Sequence, residues 1–119
     1  ATVIHHGIDS YEDGPWAFVV PAIVNNYYSR WWWPENEKAG VNSNPNLPWT
    51  GRYLDGFNNK ITMHAYANPD TNSNGAGYGI IKFKKDTKDV TFECWPRYVD
   101  ITKDDASQFL GWPITVSLD

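Results

Sequence analysis

The side chains best suited to chemistry stand near the start of the chain: His5 and His6, with Asp9 three residues on. Neutral imidazoles and a carboxylate are ligands that zinc, iron and manganese accept. Adjacent residues of a strand point to opposite faces, so one histidine can face a site while its neighbour faces the core or a supporting layer. His5, His6 and Asp9 are therefore the candidate metal ligands, although two imidazoles and one carboxylate do not complete a site. The plainer reading of the same histidines is a surface or hydrogen-bonded core role. His64 lies mid-strand between Met63 and Ala65; it reads as a core histidine that could also face the same site. Asp9, Glu12 and Asp13 could supply a general acid and base, or form a solvated acidic loop.

A second set of side chains suggests different chemistry. The chain holds seven Trp and seven Tyr. Aromatic residues this dense serve a compact core or a flat stacking surface. Trp31, Trp32 and Trp33 with Tyr27 could stack against sugar rings, while core packing or docking onto a neighbouring domain would use the same residues. Arg30, Arg52 and Arg97 could each pair with a phosphate or carboxylate, with surface ion pairing as the default. Cys94, the single cysteine, excludes an internal disulfide and alternates like a small buried hydrophobe. There is no Gly-rich phosphate loop, no CxxC pair and no GxSxG elbow.

Composition narrows the classes. At 119 residues and 41% hydrophobic, the chain has room for one folded domain with a modest core. A net charge of −4 argues against a nucleic-acid binder, which carries a basic face. No apolar run approaches the roughly 20 residues of a membrane span. No signal peptide is seen, and Ala1 leads directly into a strand-like segment.

Positioning falls to the strands. Residues 78–84 and 89–95 alternate in β-branched and aromatic residues around a polar turn, Lys84 to Asp89, and predict a hairpin. A hairpin alone is marginal in water. Residues 60–67, KITMHAYA, are the expected third strand of an antiparallel meander, entered through the turn signals Asp55-Gly56 and Asn58-Asn59. Thr2 to Ile8 predicts a short strand ending at Gly7, then a surface loop to Pro15. The one expected helix lies within Trp16 to Trp33, centred near 21–31, with Pro21 in its first turn and Val19-Val20 extended before it. Residues 35–57 form a long loop without period. Thr102 to Phe109 allows one helical turn, and Ile114 to Leu118 a last strand. The expected fold class is α+β, mostly β.

Three runs carry a family resemblance: VIHHGIDSYEDGPWAFVVPAIVNNYYSRWW, LPWTGRYLDGFNNKITMHAYANP, and GAGYGIIKFKKDTKDVTFECWPRYVDI with GWPITV. Together they resemble the C-terminal part of the PhoD-like metallophosphoesterases, in the secreted bacterial branch called alkaline phosphatase D-like. The resemblance implies the closing part of a calcineurin-like sandwich with a two-metal centre at strand ends. It implies that residues 1–119 form a single unit, the C-terminal portion of a larger catalytic domain. Most ligands would lie upstream in the same polypeptide, so this stretch would not be catalytically complete. It would contribute strand-end histidines near a centre of Fe, Zn, Mn or Ca acting on phosphate esters, in an extracellular or periplasmic location. The alternative expectation is a non-catalytic module that binds polysaccharide through its Trp and Tyr residues.

Overall fold

Apolar and polar residues alternate with period two in several short stretches of this chain, and that pattern builds sheets. The computed structural model describes residues 1–21, 50–67 and 76–118. Among them are seven strands: β1 (Thr2–His6), β2 (Trp16–Val19), β3 (Gly51–Leu54), β4 (Lys60–Tyr66), β5 (Gly77–Lys84), β6 (Asp89–Pro96) and β7 (Ile114–Ser117). The chain divides into two compact units.

The described part of the first unit, residues 1–19 and 50–66, is a four-stranded antiparallel sheet in the order β2-β1-β4-β3. One face carries the buried cluster of Tyr53, Ile61 and Met63, with Ile4 and Tyr66 packed against it. The turn from β3 to β4 is held by Asp55, whose Oδ1 accepts the Phe57 and Asn59 N–H groups at 2.8 and 2.9 Å. A short carboxylate that satisfies its own turn's donors is the physical use of Asp in such a loop.

The β1–β4 ladder contains a bulge. Val3 pairs with Ala65, but Ile4 pairs with Met63, so His64 is the extra residue on β4. The extra residue resets the alternation. Met63 and Tyr66 therefore both reach the buried cluster although three positions apart. A bulge re-aims a side chain without ending the sheet, and here the re-aimed stretch holds a histidine.

The described part of the second unit includes the sheet β5-β6-β7. Its central strand buries Val90, Phe92 and Cys94. Glu93 is also buried, but its carboxylate is held by the Lys82 ammonium on β5 and by the Trp95 indole N–H at 3.0 Å. Burial pushes the Glu93 carboxyl up; the bonds from Lys82 and Trp95 outweigh it and leave the group below its ordinary value. Burial also pushes the Cys94 thiol up, to about 11, which suits an inert core residue.

Two expectations are corrected. The α+β class gives way to all-β: no helix is present among the described residues. Trp16–Val19, at the head of the Trp16–Trp33 stretch and ahead of the helix expected near 21–31, is a strand paired with β1. Its aromatic and β-branched residues gain more from that ladder than helical spacing offers them. The helix centred near 21–31 otherwise falls outside the described residues. At 102–109 the chain makes turns instead of a helical turn. The second correction concerns pairing. Residues 60–66 belong to the first sheet, and the third strand beside the 77–84 and 89–96 hairpin is β7. No helix among the described residues is long and apolar enough to cross a membrane.

Candidate metal centre

On the sheet face opposite the buried cluster, four residues line up across the strands. Trp16 pairs with His5, His5 with Thr62, and Thr62 with Arg52. The pairing alone sets them side by side, because cross-strand partners share a face. The His5 and Trp16 rings stack at 4.1 Å, and the Trp16 and His64 rings meet tilted at 4.8 Å. Packing against the indole limits how far either imidazole can turn. Thr62 is buried, and its hydroxyl finds no partner.

The loop between β1 and β2 returns over this row. It is organised by Asp13, whose carboxylate accepts the N–H groups of Ile8, Asp9 and Ser10 at 2.5, 3.0 and 2.9 Å. Gly7 allows the tight reversal: a Cβ there would stand 2.2 Å from the Ser10 carbonyl oxygen. Glu12 then adopts a left-handed φ of 67°. That conformation costs a non-glycine residue of order 1 kcal/mol or more, so the surrounding contacts must impose it.

Those contacts place Glu12 beside the histidines. Its Oε1 lies 3.2 Å from His64 Nε2, and its Oε2 lies 3.4 Å from an Arg52 guanidinium nitrogen. His5, Glu12 and His64 each offer one ligand atom, and these atoms lie within 4.8 Å of one another. In a tetrahedral zinc site, bonds of about 2.0–2.1 Å set neighbouring ligand atoms roughly 3.3 Å apart. For such an ion the widest separation would have to shrink by roughly 1.5 Å.

The hydrogen bonds of the two histidines suit ligation. His5 Nε2 lies 3.0 Å from the Gly14 carbonyl oxygen. A carbonyl only accepts, so Nε2 carries the proton and Nδ1 keeps its lone pair. Metal-binding histidines characteristically make this outer bond, which fixes tautomer and ring orientation. His64 Nε2 is buried, has no aligned hydrogen-bond partner, and lies 3.2 Å from the Glu12 carboxylate. Burial pushes the His64 pKa down, the Glu12 carboxylate opposes this, and His5 adds to the fall. The imidazole is thereby kept neutral, the form that binds a metal.

The structure separates the residues singled out by the sequence. His5 belongs to the cluster. His6 pairs with Ile61 and faces the other side of the sheet, beside the core. Asp9 is engaged through its backbone: its N–H donates to Asp13 and its carbonyl accepts from the Lys60 ammonium. Among the described residues, Asp9 and His6 are not part of a cluster of potential ligands. Trp31, Trp32, Trp33 and Tyr27 lie outside the described residues. Glu12 enters as the third potential ligand, where the sequence suggests only an acid or base in an acidic loop. The signal available for it was Asp13, whose turn chemistry folds the loop back over β1.

The Asp13 knot has a measurable pH signature. Bonds from the Ile8 and Ser10 N–H groups lead in drawing its pKa from an ordinary 3.8 to about 2. The folded value is depressed, so the contribution is complete above pH 3.8 and is lost as pH falls from there to about 2. Acid titration of denaturant stability should show this slope in the native chain and a flatter profile in Asp13→Asn. Equal slopes would mean that the three N–H bonds contribute nothing in solution.

Among the known proteins compared, no family model, no curated protein and no solved structure matches this chain.

Proposed function

We propose that the chain is the metal-binding C-terminal part of a secreted, metal-dependent phosphoester hydrolase, with His5, Glu12 and His64 as ligands for a divalent transition ion. The observation that carries this reading is the convergence of three ligand atoms within 4.8 Å. Two imidazoles and one carboxylate are a zinc ligand set, and three protein ligands leave a coordination position open, as catalytic zinc sites do. Mixed N and O donors favour zinc, iron or manganese over calcium, which takes oxygen ligands. A bound ion would supply Lewis-acid polarisation and an acidified water. The chain's own residues hold the ligand geometry: Gly14 fixes His5, Trp16 packs both rings, and Arg52 engages Glu12. The phosphoester class and the secreted location are supported by the sequence resemblance.

Calorimetric titration of the chain with zinc, manganese, iron and calcium salts tests the centre. One zinc per chain is expected, with a dissociation constant of about a micromolar or tighter. This scales the ~10–16 kcal/mol of four-ligand zinc sites to three ligands. Absence of stoichiometric uptake of any transition ion defeats the metal reading. Hydrolysis of p-nitrophenyl phosphate by the polypeptide extended at its N-terminus, with and without chelator, tests the substrate class. A metal-loaded extended protein that leaves the ester intact removes the phosphoesterase reading and leaves the centre standing.

A further inference from the structure

We infer that Arg52 is a positioning residue for this centre, holding Glu12 so that its carboxylate offers a single oxygen to the ion. The inference rests on the metal-centre reading and adds to it the coordination mode of one ligand.

The two oxygens of Glu12 are already divided. Oε1 faces His64 Nε2 at 3.2 Å, while Oε2 accepts from the Arg52 guanidinium at 3.4 Å. Arg52 comes from β3, His64 from β4 and Glu12 from the β1–β2 loop. Three separate stretches thus meet on one carboxylate. The guanidinium also lies over the Tyr11 ring, 5.0 Å from its centroid. A planar cation stacked on an aromatic face has a preferred plane and direction. Tyr11 thereby orients the arginine, and the arginine orients the glutamate next in sequence to that tyrosine.

The magnitudes favour a ligand-orienting role over a structural one. The Arg52 side chain is 56% exposed, and an ion pair so open to water contributes about 0–1 kcal/mol to folding. Such a pair does little to stabilise the sheet. A partner that orients a metal ligand, by contrast, typically changes metal affinity ten- to a hundredfold when removed. A carboxylate released from Arg52 is free to chelate through both oxygens, which raises the coordination number and crowds the open position. Held by Arg52, it binds through one.

The test uses the chain with Arg52→Met and Arg52→Lys. Zinc affinity is measured by competition with a chromophoric chelator, and coordination number by the visible absorption of the cobalt(II) form. Arg52→Met should bind zinc roughly ten- to a hundredfold more weakly. Its metal-free melting temperature should match the native chain. Its cobalt bands should weaken, as they do when four-coordinate cobalt gains a ligand. Arg52→Lys restores the charge without the planar fork and should recover part of the affinity. An Arg52→Met chain with zinc affinity within twofold of native and an unchanged cobalt spectrum overturns the inference and leaves the centre intact. So does a metal-free Arg52→Met chain that melts far below native, which would make the arginine a folding residue. A native chain that takes up no zinc or cobalt sinks the centre and this inference together.

Discussion

Replacing His64 with alanine is expected to weaken zinc binding by roughly a hundred- to a thousandfold, the share of one ligand in a site whose full set is worth ~10–16 kcal/mol. The fold should persist. His64 is the extra residue of the bulge, with no Cα partner on β1, so its side chain serves no ladder position. Its buried Nε2 lacks an aligned hydrogen bond, and removing it should relieve a desolvation cost. The metal-free His64→Ala chain should therefore melt at or slightly above the native temperature while losing nearly all of its zinc affinity. That opposition separates the metal reading from the plain one. A histidine serving only the core would lower the melting temperature on removal and leave metal uptake where it was. Chelator competition and thermal melting on the same samples give both readouts.

The second large effect lies one residue earlier, on the other face. Met63 is 1% exposed and packs with Tyr53 and Ile61. Met63→Ala is expected to cost about 2–5 kcal/mol, the transfer term plus the cavity left behind. Phe57, 90% exposed in the β3–β4 turn, is the control: its alanine variant should fall within about 0.5 kcal/mol of native. Urea unfolding followed by tryptophan fluorescence checks both. A Met63→Ala cost below the control's would mean that the sheet's apolar face is not closed in solution. The two neighbours are thus expected to have opposite consequences: the Met63 variant should lose stability, and the His64 variant zinc affinity.

Much of the strand layout was legible because alternation is a local signal. KITMHAY, GYGIIKFK and the run from Val90 to Trp95 show their period within single windows, and the structure has strands over Lys60–Tyr66, Gly77–Lys84 and Asp89–Pro96. Alternation also separates His5 from His6, which pair with Thr62 and Ile61 on opposite faces. The pairing partners were not legible. β4 joins β1 across more than fifty positions, and no local pattern distinguishes that from joining the hairpin that follows it. The pairing of Trp16–Val19 with β1 was not legible either, because Pro21 and the apolar spacing after it fit a helix start as well as they fit the end of a strand.

The candidate centre was legible only in part, for a related reason. His5 stood out by residue type. Glu12 did not, because its place depends on a left-handed φ and on a carboxylate knot formed by Asp13. His64 was visible as a histidine within a strand, but nothing in KITMHAY marks the irregularity in the ladder. Arg52 was one of three arginines of equal standing until pairing set it in line with His5.

The bulge has a consequence for how this protein could change over time. Excising position 64 would leave Met63 opposite Ile4, with Ala65 and Tyr66 moving up to face Val3 and Thr2, the partners they already have. The zipper would close with no tooth out of place. The histidine of the proposed centre is thus an inset that a single lost codon could remove from an otherwise unaltered fabric.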